Sequence, residues 1–421
     1  MYSMNHLTSA NANPLLAPII LQYAIVMTKI THHLILSSLS SLPMNKKNSS
    51  QQLGSDINTA EIEVNKAVDN VFELLLEYIP LSCKQLRENS HNTTHMNNSN
   101  NGPNGTSTTN QSIHDNLKEL LEEFYRLVVA TQKYHPISFS RYIGPFLTLF
   151  YNEIEQMVLL SKASNSNVTS VNNNGTTAIA EPLLFAIPQI TFFANVISCS
   201  HYIPDENSNE SMEAWRSSST NTQRVISSQG DLKIDPLSVN SAVQNVWSFL
   251  TMERVKVLVD VSLFFITLRD SHLAEWADDP ESFYIERKNA VTDDDVISCA
   301  QNMYLSLLES KCCKPIVLEK ISSLLLRVDD QLRAAHFESG AGGGNLNEIN
   351  ISSVLFWDAA YTAIGLSLHD LKLIGLDVNN WFESSLSQVI KVLMAPQQNE
   401  VCVSLFSCIC HLSHTFHPFA K

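Results

Sequence analysis

The sequence has little glycine or proline and few of the alternating runs that β-strands require. It contains only 12 glycines and 15 prolines in 421 residues. A large sheet protein needs turn residues between many short strands, so this composition argues against one. Apolar residues instead recur at intervals of three and four positions, as they do on one face of a helix. The sequence therefore predicts an all-α fold.

Positive charge is also scarce in this chain. It has 27 basic residues against 42 acidic ones, which gives a formal net charge of −15. Nucleic acid is therefore disfavoured as the main ligand, because the phosphate backbone binds basic surfaces. An acidic protein of this kind attracts basic protein partners instead.

Long apolar runs are missing as well. The most apolar early segment, Leu15 to Ile30, is interrupted by Pro18, Gln22 and Lys29 and has no basic leader. It therefore predicts neither a membrane-spanning helix nor a signal peptide. The eight cysteines are scattered through apolar segments, which is typical of reduced, buried side chains and not of a disulfide framework.

The clearest helical pattern runs from Ile349 to Met394, where two amphipathic segments are joined by a short link. Trp357 belongs to the first segment, which is apolar around most of its circumference. Gly375 lies in the link and Asp377 is placed to cap the second segment. A link this short predicts antiparallel packing, and the apolar faces left over require neighbouring helix pairs.

Polar inserts rich in Asn and Ser separate the predicted helices and never interrupt them. We expect N-terminal helices in 1–88, a disordered insert in 89–111, and a helical array in 112–416 with further polar inserts at 161–177 and 204–230. Roughly six hairpins at a spacing of about 40 residues match helical solenoids of the HEAT and armadillo type. The predicted fold is therefore a solenoid of antiparallel helix pairs whose edge loops have grown.

Three short motifs occur in this order: His135-Pro136-Ile137-Ser138-Phe139, then Leu268 to Phe283 with Trp276 and Asp279-Pro280-Glu281, then Asp358 to Leu366 followed by Trp381-Phe382. Together they resemble nuclear transport receptors of the importin-beta (karyopherin) superfamily, and the similarity is closest to the importin-eleven branch. The resemblance covers about residues 117 to 407 and corresponds to a middle segment of the longer family members.

This resemblance implies a receptor that carries cargo between cytoplasm and nucleus through the pores of the nuclear envelope. Its partners would be cargo proteins, here basic ones, and Phe-Gly nucleoporins. Family members release cargo through the small GTPase Ran, but the N-terminal repeats on which Ran docks have no counterpart in this sequence. Weak Ran binding is therefore expected. The alternative is a HEAT-repeat scaffold with no role in transport.

Trp276, Asp278, Asp279 and Glu281 form the candidate partner-binding segment. An exposed acidic rim beside an aromatic anchor would suit a basic cargo. The alternative is a structural loop, in which Trp276 and Phe283 pack beneath the hairpin and the acids are only solvated.

Residues elsewhere give only weak signals of catalysis or metal binding, and we expect no enzyme, no cofactor and no metal. Buried cysteines and surface histidines on an apolar helix explain the one metal-like group better than a metal site does. Its members are Cys408, Cys410, His411, His414 and His417. Neighbouring elements offer no Ser/His/Asp or paired-carboxylate arrangement.

Three further groups are better explained as structural. The Cys312-Cys313 pair favours a helix start with Pro315 in its first turn. The run Asp293-Asp294-Asp295 favours a helix cap over a calcium site. The glycines of 340–344 lack the Lys-Ser/Thr of a phosphate-binding loop, so they predict a linker.

Overall fold

A computed structural model describes the protein in segments. The described residues are 22, 24–33, 71–86, 107–166, 185–203, 236–269, 272, 274–275, 278–279, 281–283, 285, 295–340, 351–381 and 383. They fall into two compact units, Met1–Ile154 with Val171–Phe249 (unit 1) and Glu155–Ser170 with Leu250–Lys421 (unit 2).

The helices of unit 1 include two early segments, α1 (24–33) and α2 (71–86). They are followed by α3 (Ser107–Tyr134), the short α4 (Pro136–Phe139), a 3-10 turn (Ser140–Tyr142) and α5 (Ile143–Ser166), of which the part up to Ile154 belongs to this unit. The next elements are α6 (Ala186–Ser198), a 3-10 turn (Ser200–Tyr202) and α7 (Pro236–Phe249). Pro136 and Pro236 each stand at a helix start, where a missing N–H costs nothing.

Aromatic rings connect these helices through the core of unit 1. Phe72 of α2 meets Phe139 edge-on, with ring centroids 5.4 Å apart, and it also meets Phe146 of α5. Phe150 of α5 lies 5.2 Å from Tyr125 of α3 and 4.9 Å from Phe192 of α6. Edge-to-face pairs of this kind add to the free energy gained from burying apolar area.

Unit 2 contains α8 (Met252–Ile266), α9 (Val296–Glu309), α10 (Lys314–Gly340), α11 (Ile351–Leu373) and the short α12 (Val378–Trp381). Side chains cap the N-termini of α8 and α9. Thr251 accepts a hydrogen bond from the Arg254 amide at the start of α8, and Asp295 accepts from the amides of Ile297 and Ser298 at the start of α9. The predicted helix cap at the Asp293-Asp294-Asp295 run is therefore confirmed at Asp295.

Two hydrogen bonds show that α10 and α11 run antiparallel. Lys314, the first residue of α10, contacts Asp370 near the end of α11 at 2.9 Å. At the other end, Trp357 Nε1 donates to Gln331 Oε1 at 3.1 Å. Residues Trp357 to Tyr361 are all buried, so α11 is covered on most of its circumference, as the sequence predicts.

The turn after α11 is a Schellman motif. The Leu376 amide donates to the Leu371 carbonyl and the Gly375 amide to the Lys372 carbonyl. Gly375 has φ +100°, a conformation that favours glycine. Asp377 then accepts from the Asn380 amide at 3.0 Å and caps α12. The roles predicted for Gly375 and Asp377 are therefore confirmed.

Among the described residues, helices and turns account for the regular structure and no strand occurs. Within each unit neighbouring helices pack side by side, so the predicted all-α fold of HEAT- and armadillo-type helix pairs is confirmed. None of the helices in the described segments is both long and apolar enough to span a bilayer.

Two boundaries differ from the prediction. Helix α3 begins at Ser107, inside the range 89–111, and α5 ends at Ser166, inside the range 161–177. In both cases a helix with an apolar face extends its hydrogen bonding into residues that are almost all polar. The rest of these inserts, and the whole of the insert at 204–230, lie outside the described residues.

Candidate partner-binding surface

The three acids of the candidate segment are exposed. Asp278, Asp279 and Glu281 lie in the connection between α8 and α9, and none of them forms an ion pair with a described residue. Asp279 also has a local role, because its Oδ1 accepts from the Ser282 amide at 3.0 Å. The fourth candidate, Trp276, lies outside the described residues, so the structure brings together only the acids.

The connection is fastened to unit 2 at its start. The Arg269 amide donates to His272 Nδ1 at 3.3 Å, and the Arg269 guanidinium lies over the Phe265 ring at 5.8 Å. Burial lowers the pKa of Arg269, and the nearby Asp295 opposes that shift. The side chain of Phe283 is half-buried. The acids therefore project from an anchored segment.

Charged side chains also link α8 to α10. Lys256 contacts Glu319 at 3.1 Å, and Lys320 contacts Asp260 at 3.0 Å. The side chains of Glu319 and Asp260 keep 60% and 39% of their surface exposed, so both carboxylates face solvent as well as lysine. Partners about 60 residues apart carry no periodic signal, and for this reason the sequence analysis missed them.

A buried polar cluster holds four helices of unit 1 together. Tyr125 of α3 donates a hydrogen bond to Glu153 of α5. Gln189 of α6 donates to Glu153 at 2.8 Å and to the Tyr125 oxygen at 3.2 Å. The Cys83 sulfur of α2 lies 3.5 Å from that same oxygen. Burial and the Glu153 carboxylate raise the pKa of Tyr125 far above its usual range, so the phenol keeps its proton.

The His135-Pro136 motif lies at a structural junction. Tyr202 Oη donates to the Pro136 carbonyl at 2.6 Å, and Trp247 Nε1 donates to the Tyr202 carbonyl at 2.7 Å. His135 and Phe139 are buried. The motif therefore fixes the turn between α3 and α4 and presents little surface to a partner.

The motif from Asp358 to Leu366 is mainly a packing motif too. Asp358, Ala359, Ala360, Tyr361, Ala363 and Ile364 are buried, as is Trp381. Tyr361 and Trp381 have ring centroids 6.2 Å apart. Of the three motifs, the α8–α9 connection is the one that presents charged side chains to solvent.

The residues singled out for covalent or metal chemistry do not form a site in the described segments. Cys313 is buried and Cys312 is half-buried in the turn before α10, as expected for a helix start with Pro315 in its first turn. No group of three His, Cys, Asp or Glu residues in the described segments could hold a metal ion. The group from Cys408 to His417 and the glycines after Gly340 lie outside them.

Comparisons with known proteins identify no family for this chain. No protein-family model matches it, and no curated protein sequence matches it. A solved structure that resembles it is that of Lph2, a bidirectional nuclear transport receptor of S. cerevisiae, with a TM-score of 0.41 and 14% identity. The match covers 94% of this chain and 38% of that one, so the chain spans well under half the length of that receptor.

Proposed function

We propose that this chain is a segment of a nuclear transport receptor that binds basic cargo proteins through the acids of the α8–α9 connection. The observation that supports this most directly is the exposure of Asp278, Asp279 and Glu281, which are not neutralised by any described cation. The resemblance of the three ordered motifs to importins supplies the biological setting. Under this proposal the protein moves between cytoplasm and nucleus.

Exposed carboxylates that form no ion pair with a described residue suit recognition of a basic partner. In a chain with net charge −15 they add to a long-range field that speeds encounter with a positively charged surface. Exposed charges are screened within about 8–10 Å at physiological salt. Binding through these acids should therefore weaken steeply as salt is added.

Phe-Gly nucleoporins are the second proposed partner, and here the support is the resemblance alone. Packed helix pairs offer shallow apolar clefts between neighbouring helices, into which a phenylalanine side chain can insert. For these 421 residues the proposal includes weak binding to GTP-loaded Ran, as the resemblance to a middle segment of the family implies. It includes no catalytic role, cofactor or metal.

The competing function is a HEAT-repeat scaffold without a transport role. The observation that favours it is that two of the three motifs are buried, and buried motifs report packing and not partners. Such a scaffold would share the helix pairs and the acidic surface but would not recognise Phe-Gly sequences.

The cargo proposal is tested by fluorescence anisotropy with a labelled lysine- and arginine-rich peptide. The variant Asp278→Asn/Glu281→Gln removes two charges and spares the capping role of Asp279. We expect it to weaken binding by about threefold to tenfold at low salt. The matched control is Glu73→Gln/Glu77→Gln, which removes two exposed charges from α2. Equal weakening by both variants would show that the net negative charge of the chain attracts the peptide and that the α8–α9 connection is not the binding site.

A separate pull-down distinguishes the receptor from the scaffold. Beads carry a Phe-Gly repeat or the same repeat with Phe replaced by Ser. Retention on the first and not on the second supports the transport role. Retention on neither supports a scaffold, and tight binding of GTP-loaded Ran would overturn the expectation of a missing Ran site.

A further inference from the structure

Helix α1 lies beside α3 in unit 1, and polar contacts fix how the two helices are placed. Gln22, just before α1, donates a hydrogen bond to the side chain of Asn116 in α3. Lys29 of α1 contacts Glu119 of α3 at 2.7 Å. The two contacts advance in the same direction along both helices. The turn of α1 that follows Lys29 therefore lies beside the turn of α3 that follows Glu119.

This next turn brings a histidine of α1 to a carboxylate of α3. Residues three or four positions apart share a helix face. His32 is three positions after Lys29, and its side chain is half-buried. Glu123 is four positions after Glu119, and its side chain keeps only 8% of its surface exposed. His32 is therefore placed on the side of α1 that faces Glu123.

The carboxylate of Glu123 is already engaged by a cation of its own helix. Arg126 donates to Glu123 at 3.2 Å and to Glu122 at 2.6 Å. A proton added to His32 would place a second positive charge near Arg126, with His33 next to it on α1. The imidazolium would also lack part of its hydration, because the side chain is half-buried.

These surroundings determine the direction in which His32 responds to pH. Burial is the largest influence on the pKa of His32 and lowers it. The Glu123 carboxylate opposes this shift, and Arg126 and His33 reinforce it. In a released and solvated α1, the same histidine takes up its proton at about pH 6.5. The released form binds this proton more tightly than the docked form, so docking weakens as the pH falls through that value.

We propose that α1 is a pH-sensitive latch on α3, which loosens when His32 is protonated. Ala24 and Ile25 of α1 are buried, so loosening would bring apolar surface into contact with solvent or with a partner. The latch belongs to unit 1 and the proposed cargo site to unit 2. The inference therefore does not depend on the transport proposal.

The latch is tested on the full chain by hydrogen exchange with mass spectrometry at about pH 7.5 and about pH 5.5, on either side of the histidine titration. Rates are corrected for the intrinsic pH dependence of exchange. We expect the protection of the amides in 24–33 to fall by about twofold to fivefold at the lower pH. His32→Gln stays neutral at both pH values, so its α1 should lose no protection. The amides of α5 are the internal reference and should change less than those of α1.

Two further variants test the groups that surround His32. His33→Gln removes the exposed neighbouring imidazole and should keep the response of the wild type. Arg126→Gln leaves the Glu123 carboxylate open to an imidazolium, so the response should shrink or reverse.

Four outcomes would overturn the latch. Protection of α1 that rises at the lower pH would show that protonated His32 strengthens docking. The same loss of protection in His32→Gln and in the wild type would show that another group titrates. Equal loss in α1 and α5 would show that acid destabilises the unit in general. An undiminished response in Arg126→Gln would contradict the role given to the Glu123–Arg126 pair.

Discussion

At the scale of single residues, both apolar packing and polar contacts stabilise this fold. Trp357 is the simplest case, because it fills the core of unit 2 and also donates to Gln331. Trp357→Ala should lower the free energy of unfolding by about 3–5 kcal/mol, since it leaves a large cavity. Trp357→Phe keeps most of the packing and should cost about 1 kcal/mol or slightly more. Chemical denaturation measures both, and equal costs would mean that packing is not the main contribution.

Tyr125 tests the polar contribution in unit 1. Tyr125→Phe keeps the ring contacts with Phe150 and removes the hydroxyl that donates to Glu153 and accepts from Gln189. Because the half-buried Glu153 carboxylate then loses one donor, we expect a loss of about 1–3 kcal/mol. The control is Tyr134→Phe, since that tyrosine is 46% exposed and its variant should be neutral. A neutral Tyr125→Phe would show that the remaining partners of Glu153, Gln189 among them, satisfy its carboxylate.

At the scale of elements, the sequence predicts where helices form. It does not predict which side chains form contacts between helices. The burial of Trp357 and the helix cap at Asp295 follow from local patterns, because spacing and capping act within a few residues. The cluster of Tyr125 and Glu153 does not, since its members are brought together from separate helices. A single polar residue on an apolar helix face does not indicate which distant residue is its hydrogen-bond partner.

The candidate site shows the same limit. Exposure of Asp278, Asp279 and Glu281 could be predicted, because acids in a connection are rarely buried. The approach of the Arg327 guanidinium to the Phe356 ring could not be predicted, since it depends on the register of α10 against α11. That register is visible only through contacts such as Lys314–Asp370.

Two glycines give a test of the link between α11 and α12. Gly375 has φ +100°, and an added Cβ would meet no atom within 4 Å. The strain in Gly375→Ala would therefore come from the backbone conformation and not from a clash. It should destabilise unit 2 by about 1–2 kcal/mol. Gly144 in α5 is the contrast, because an added Cβ would lie 3.4 Å from the movable Asn245 amide and would favour the helix. Thermal melts should therefore separate Gly375→Ala from Gly144→Ala, and equal destabilisation would contradict the assigned turn.

At the scale of the whole molecule, buried tyrosines in both units should set the alkaline limit of stability. Burial raises the pKa of Tyr125, Tyr202, Tyr304 and Tyr361 well above the usual value, because a phenolate would be poorly solvated there. In the unfolded chain these phenols ionise near pH 10. The folded state therefore holds protons that the unfolded state releases above that pH.

The stabilisation that comes from these buried phenols depends on pH. Below about pH 10 both states are protonated and the stabilisation is complete. As the pH rises further, only the unfolded state gains by ionising, so the free energy of unfolding falls. An alkaline titration should show a first group of phenols ionising reversibly with the helical circular dichroism unchanged, and the four buried phenols ionising only as the helical signal is lost. If all 11 tyrosines ionised in one reversible step with the helices intact, the four side chains would not be buried as described, and the cores of both units would need to be assigned again.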